Sequence, residues 1–354
     1  MEINGKLLLA GLFADEITDV IEALGEKAYR AKQIQQAVNK GCEVEEMLSL
    51  PGKIRESLSQ RYITSGVKID KCYVSALDGT EKYLYSLYDG NLIEGVLMKY
   101  KYGSTLCVST QVGCRMGCRF CASTLDGCVR NLTGGEILGQ VLAANRHIGE
   151  KDLNDKVHNI VLMGSGEPLD NYDEVVRFLR LVNLKDGLNI SSRNISLSTC
   201  GIVPKMYSLA DEDIPVTLCV SLHAPNDEIR KQIMPIANAY SIKDIIKACR
   251  YYIRKTGRRV IFEYALVDGV NCSPANAAEL ASILRGMQCH VNVIPLNSVK
   301  ERDLNTPAET TTKKFIDALK NEHISVTRRR EMGDDIQGAC GQLRRRHIGE
   351  DKSR

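Results

Sequence analysis

Thr105-Leu106-Cys107-Val108-Ser109-Thr110-Gln111-Val112-Gly113-Cys114-Arg115-Met116-Gly117-Cys118-Arg119-Phe120-Cys121 is a strand-like run that enters a loop with C-x3-C-x2-C spacing. Thr105–Thr110 reads as a strand, and the cysteines precede a predicted helix. Outward from this stretch, Asn159–Met163, Asn194–Ser198, Val216–Ser221, Val260–Ala265, Val291–Pro295 and Ile324–Thr327 read as further strands. Gly135–Arg146, Asp173–Leu181, Ile242–Arg254, Asn276–Arg285 and Thr311–Glu322 carry helical spacing between them. Strands alternating with helices predict βαβ units and a parallel sheet. The fold class is therefore α/β, a complete or partial (β/α) barrel, with an open doubly wound sheet as runner-up. Either way, ligands belong at the carboxyl ends of the strands, where the cysteines fall.

Upstream, residues 1–66 read as short helices: Ile34, Ala37 and Val38 share a face and Gly41 ends that helix. Residues 67–100 alternate apolar and polar positions, punctuated by Asp78-Gly79 and Asp89-Gly90, the pattern of a β-meander. The barrel then spans 101–346.

The chain has 354 residues, 44% hydrophobic and 26% charged, which suits a globular protein with a sizeable core. No stretch approaches a membrane span, and Leu7–Ala14 is too short and too weakly flanked for a signal peptide. Thirteen cysteines without such a signal predict a reducing, cytoplasmic compartment with free or metal-bound thiols. The balance of 47 basic to 44 acidic residues leaves the partner to local clusters.

Three close thiolates suit a soft metal centre. Structural zinc wants four ligands, and only Cys107 and Cys128 are near. A four-iron cluster held by three cysteines leaves one iron open to chemistry. Buried free thiols are the third possibility. Downstream, Gly164-Ser165-Gly166-Glu167-Pro168 follows a strand; two glycines admit a ligand close to the backbone, and Glu167 offers an acceptor for an ammonium. Ser198, Ser221-Leu222-His223 and Asn297 are polar groups at later strand ends, placed for a ribose or carboxylate.

The triplet Cys114, Cys118, Cys121 resembles the signature of the radical S-adenosylmethionine (SAM) superfamily, and Gly164–Pro168 resembles its GGEP-like element. The resemblance implies a partial (β/α)6 barrel, a 4Fe-4S cluster on the three cysteines, and SAM as cofactor, bound through Gly166, Glu167, Ser198, Ser221, Leu222, His223 and Asn297. In that superfamily SAM chelates the open iron and is cleaved to a 5′-deoxyadenosyl radical.

Gly333-Asp334-Asp335-Ile336-Gln337-Gly338-Ala339-Cys340-Gly341-Gln342-Leu343, taken with Leu106–Cys114, is similar to the RlmN-type methyltransferases, and the likeness extends from about Tyr29 to Leu343. These methylate C2 of adenosine in 23S ribosomal RNA and transfer RNA; the related Cfr-type enzymes methylate C8. C2 lies between two ring nitrogens, so polar methyl transfer fails there and a carbon radical succeeds. The resemblance gives Cys340 the role of methyl carrier, using two SAM per turnover. Cys107 resolves the protein–RNA adduct through a transient disulfide, and Glu94 is the proton acceptor. Gly166-Glu167-Pro168-Leu169 looks like the C2 group, whose C8 relatives often carry alanine at the position of Pro168.

Three basic clusters are candidate phosphate contacts: Arg254-Lys255 with Arg258-Arg259, Arg328-Arg329-Arg330, and Arg344-Arg345-Arg346. The N-terminal helices resemble the family's RNA-holding accessory domain, except that Gln36-Ala37-Val38 stands where relatives often have aromatics. Implied partners are 23S ribosomal RNA, transfer RNA and a flavodoxin- or ferredoxin-like electron donor, with a monomer expected and no membrane. The competing readings are a zinc-stapled RNA-binding protein and a radical SAM enzyme for another substrate.

Overall fold

The computed structural model describes residues 2–343 apart from Ser298, Lys300 and Arg302; Arg344-Arg345-Arg346 lie outside the described residues. The N-terminal unit runs β1 (Glu2–Ile3), β2 (Lys6–Leu8), α1 (Ala14–Ala23), α2 (Tyr29–Asn39), α3 (Gly52–Arg61) and β3 (Tyr62–Ile63). In α2, Ala31, Ile34, Ala37 and Val38 form the buried stripe. Complete burial of Ile34 contributes roughly 2 kcal/mol. Ala37 and Val38 thus face the core, and Tyr29 is the exposed aromatic of this helix. The sequence reading supplies only helices here. The structure adds a small sheet in the order β1-β2-β3, whose strands are too short to show a two-residue period. Between α2 and α3 the chain makes a single 3-10 turn, Val44–Glu46.

The meander forms as β4 (Val67–Val74), β5 (Glu81–Leu87) and β6 (Leu92–Tyr100). Its turns use Gly79 and Gly90 at φ of 72° and 85°. It does more than link: β6 pairs antiparallel with β7 (Gly103–Cys107), setting Cys107 opposite Val96. The strand ends three residues earlier than the sequence predicts. Beyond it, the Gln140 side chain bonds both the N–H and the carbonyl of Ser109, each at 2.9 Å. A short hairpin, β8 (Gln111–Gly113) with β9 (Cys128–Asn131), then brackets the cysteine loop. Gly113 is obligatory there, since a Cβ would lie 2.0 Å from the Gly127 carbonyl oxygen. A single 3-10 turn, Ala122–Thr124, follows Cys121, and the helix predicted beyond the cysteines at Gly135–Arg146 forms over Gly134–Lys151.

The barrel continues as α4 (Gly134–Lys151), β10 (Val157–Leu162), α5 (Tyr172–Asn183), β11 (Ile195–Thr199), α6 (Val203–Asp211), β12 (Thr217–Ser221), α7 (Asp227–Ile233), α8 (Ile242–Thr256), β13 (Val260–Leu266), α9 (Pro274–Leu284), β14 (Cys289–Pro295), α10 (Glu309–Asn321) and β15 (Val326–Arg328). Local chemistry sets the helix ends. Thr133 caps α4 in a box with Glu136, whose carboxylate also binds Arg130. Ser241 caps α8, and Gly257 closes it at φ 65°.

Strands β7, β10, β11, β12, β13, β14 and β15 are parallel in that order. Together with β6, β5 and β4 they make one 10-stranded sheet among the described residues. A doubly wound sheet would reverse direction at a switch point; this order never does, so the barrel alternative holds. Six helical crossovers connect the parallel strands, and β15 adds a seventh strand to the (β/α)6 expectation. Barrel strands contribute fully buried Ile160, Leu197, Leu218, Phe262 and Val291 to a core shared with α1–α3. Gly135 in α4 touches Gly11 so closely that a Cβ would come within 2.8 Å of its nitrogen, which seats the N-terminal unit on the barrel. Among the described residues no helix is long and apolar enough to cross a membrane.

Candidate active site

The carboxyl ends of the barrel strands open into a cavity of about 920 Å3, counting its mouth. Cys114, Cys118 and Cys121 line one end; Gly166, Glu167, Ser198, Ser221, His223 and Asn297 line its walls; Cys340 lies on its border. Cys107 and Cys128 do not line it, so neither completes a four-ligand zinc set with the triplet. A second, smaller cavity holds Cys107 and shares Met163, Ile294, Asn297, Arg329 and Cys340 with the first. The two therefore meet at Cys340.

The cysteine loop is shaped for a bulky group. Gly117 adopts φ 72°. A Cβ on Gly164 or Gly166 would meet neighbouring atoms at 2.7 Å, so glycines keep the opposite rim low. Burial pushes the Cys114 thiol up to about 12 and that of Cys118 well above its ordinary value. Such thiols are poor nucleophiles on their own and become thiolates when a metal claims them. Three thiols facing one glycine-rimmed space fit an iron–sulfur cluster with a small-molecule ligand.

Glu167 departs from the expected free acceptor. Its Oε1 accepts from Leu169 N–H at 3.0 Å and its Oε2 from Cys200 N–H at 2.8 Å. Burial raises its pKa while these bonds oppose the rise. The carboxylate thus ties the loop after β10 to the end of β11. Cys200 itself lines the cavity beside this tie. Ser198 and Ser221 hydroxyls lie 3.5 Å apart on adjacent strands. His223 sits at φ 55°, a left-handed position that histidine tolerates better than most residues. Its Nδ1 accepts from Ala265 N–H at 2.8 Å, and its ring packs edge-on against Phe120. Burial first, and then Arg230, pushes its pKa down to about 3, so the ring is neutral with its proton on Nε2. Leu222 is not part of the cavity lining: its side chain is in the core, and its N–H and carbonyl bond Glu263 and Arg230.

Asn297 does not merely face a ligand. Its Nδ2 donates to the Cys340 carbonyl at 2.9 Å. The Cys340 loop is also fastened from the meander side. Ser75 Oγ and Ala76 N–H donate to Asp335 at 2.6 and 2.9 Å, and Gly333 N–H donates to Asp78 at 3.0 Å. Lys82 Nζ reaches the Gln337 carbonyl at 3.3 Å and pairs with Glu94 at 3.5 Å. Glu94 is 1% exposed and lines neither cavity; it stands on β6 two residues from Val96, the partner of Cys107. All thirteen cysteines are free thiols, Cys107 and Cys340 included.

The sequence reading misses the charge at the junction. Arg329, taken with its neighbours for a phosphate contact, points inward instead. It donates to Cys340 Sγ at 3.8 Å and to Met163 Sδ at 3.6 Å, and it pairs with buried Glu263 at 3.6 Å. Arg328 and Arg330 are exposed, and Arg328 is paired with Glu309. Alternation along the strand-like run Val326–Arg330 is the signal that separates them: odd and even positions face opposite sides.

A parallel barrel carrying three thiols at the carboxyl end of its first strand defines the class. Residues 108–281 match the radical SAM superfamily, and the chain is a radical SAM enzyme. At full length it is 52% identical over 344 residues to the "Probable dual-specificity RNA methyltransferase RlmN" of Alkaliphilus oremlandii, covering 97% of this chain and 99% of that one. The protein of the same name from Clostridium novyi is 52% identical over 336 residues, 94% of this chain and 96% of its own. The crystal structure of a radical SAM methyltransferase from Sphaerobacter thermophilus matches with a TM-score of 0.91 at 42% identity, covering 95% of this chain and 99% of that chain. The chain belongs to the RlmN family of radical SAM RNA methyltransferases.

Proposed function

We propose that the protein methylates C2 of a specific adenosine in 23S ribosomal RNA and in transfer RNAs, with Cys340 as methyl carrier, consuming two SAM per turnover. The observation that carries the proposal is the meeting of two cavities at Cys340: three thiols open into one, and Cys107 opens into the other. A 4Fe-4S cluster on Cys114, Cys118 and Cys121, with SAM, supplies radical chemistry when bound.

The chain's own residues do the rest. Gly166 and the Ser198–Ser221 pair accommodate the cofactor, with neutral His223 presenting an N–H donor. Arg329 places positive charge beside the sulfur of Cys340, which favours the thiolate form that attacks a methyl group. Asn297, Asp335 and Lys82 hold the Cys340 loop over the junction. Cys107, which burial and then Cys340 raise to about 12, rests as a thiol until the adduct must be resolved. Glu94, oriented by Lys82, is the proton acceptor. An unstacked or flipped adenosine enters the smaller cavity. The N-terminal unit, residues 1–66, helps to hold the RNA, with Arg330 on the path. The electron comes from a flavodoxin- or ferredoxin-like donor in a reducing cytoplasm, and the enzyme acts as a monomer.

Anaerobic reconstitution with iron and sulfide, followed by mass spectrometry of nucleosides from treated RNA, tests the reading. 2-Methyladenosine formed together with 5′-deoxyadenosine is expected. Exclusive 8-methyladenosine would reject the C2 assignment in favour of the Cfr-type reaction.

A further inference from the structure

Arg230, in α7, is the bulkiest fully buried side chain among the described residues, at 0% exposure. Its Nη2 donates to the carbonyls of Cys200 at 2.6 Å and Ser221 at 3.2 Å, and its Nε to that of Leu222 at 3.1 Å. These carbonyls lie at the carboxyl ends of β11 and β12. The remaining nitrogen, Nη1, is buried with no hydrogen-bond partner. Among the described residues no carboxylate forms an ion pair with it; Asp227, a turn earlier on α7, acts from farther away and accepts from Ile242 N–H instead. An unpaired buried cation is costly, and carbonyl dipoles offset only part of that cost.

The surroundings say where its counter-charge comes from. Arg119 N–H, between the second and third cysteines of the loop, donates to the Ile233 carbonyl at 2.9 Å, and Arg119 Nη1 donates to that of Gln232 at 3.1 Å. Cys118, Cys200, Ile233 and Met234 pack as one apolar cluster. Pro235 lies 3.2 Å from where a Cβ of Gly117 would stand. The helix carrying Arg230 is therefore fixed beneath the cysteine loop. Cys118 and Cys200 line the space those thiols surround, and both lie near enough to the Arg230 cation to interact with its charge.

We propose that Arg230 is the resident counter-cation of the cluster and sets its reduction potential. This rests on the reading of Cys114, Cys118 and Cys121 as ligands of a 4Fe-4S cluster. A dicationic core on three thiolates carries net negative charge, and one electron from the donor protein makes it more negative. A fixed cation in a water-poor interior favours the reduced form and so raises the potential. The same cation completes the site: its charge is compensated once the anionic cluster is present.

The decisive experiment is an anaerobic redox titration of the reconstituted protein, followed by electron paramagnetic resonance without RNA, alongside iron and sulfide analysis. Arg230→Gln keeps a two-donor amide to serve part of this carbonyl set and removes the charge; its cluster should load fully and titrate at a more negative potential. Arg230→Lys should remain near the wild-type value. A fully loaded Arg230→Gln cluster with an unchanged potential overturns the proposal. Should that variant fail to fold, the wild-type protein still answers. Its Arg230 Nε–H resonance, assigned by its loss in Arg230→Lys, should broaden when the paramagnetic cluster is loaded and reduced. An identical signal in the cluster-free and loaded forms overturns the proposal too. A chain that takes up no iron removes the underlying cluster reading, which iron analysis reveals separately from any shift in potential.

Discussion

The Arg329 guanidinium donates to the sulfur of Cys340 at 3.8 Å, while Cys107 lies in the adjoining cavity, where burial outweighs the pull of the same arginine. Burial holds Cys107 up at about 12, so its reactive thiolate is scarce at neutral pH. At pH 8, iodoacetamide should label Cys340 and spare Cys107, as read by peptide mass spectrometry. Arg329→Met should slow that labelling by roughly tenfold, the scale of one lost charge-assisted contact. Equal labelling of both cysteines would contradict this assignment of roles.

The bond from Ser75 to Asp335 spans 260 positions in sequence and pins the Cys340 loop to the turn between β4 and β5. Asp335 also accepts from the Ala76 N–H. Asp335→Ala removes both bonds from an exposed carboxylate, costing the docked loop about 1–2 kcal/mol. Turnover should fall by about tenfold or more because the methyl carrier is misplaced. Iron content should stay at the wild-type level, since the latch is remote from the three thiols. A variant with wild-type turnover would show that the loop needs no latch.

His223 gives the fold a distinctive acid response. Its folded pKa, about 3, lies below its ordinary value of 6.5. The unfolded chain therefore binds a proton first as pH drops. The stability tied to the neutral ring is fully present above about 6.5 and is lost progressively towards about 3. Asparagine tolerates the same left-handed backbone and does not titrate. Denaturant titrations of the cluster-free protein should show wild type losing up to about 1.4 kcal/mol per pH unit relative to His223→Asn below that threshold. Parallel curves for the two proteins would mean that the ring is not buried neutral.

Much of this architecture was legible in the residues. The alternation of strand and helix from Thr105 onward announced a parallel barrel, and the spacing of Cys114, Cys118 and Cys121 announced the radical SAM superfamily. Asp78-Gly79 and Asp89-Gly90 marked the meander turns. What the sequence could not carry was long-range pairing. Nothing local says that β6 joins β7 to continue the barrel sheet, or that Ser75 meets Asp335. Nor does a run of three arginines reveal that the middle one turns inward to Cys340 and Glu263. Glu167 and Asn297 sat at the right strand ends, but their hydrogen bonds serve neighbouring loops, which only the folded geometry shows. Arg230, buried in a short polar-looking helix, gave no sign of its environment.

The account turns on Cys340 carrying carbon to the RNA and Cys107 releasing it. Purifying Cys107→Ala from cells and determining the intact mass of the protein before and after nuclease treatment tests this most directly. The account predicts RNA covalently attached through Cys340, and its absence when Cys340→Ala is added. Nucleic-acid-free Cys107→Ala protein that still methylates adenosine at the wild-type rate would contradict it.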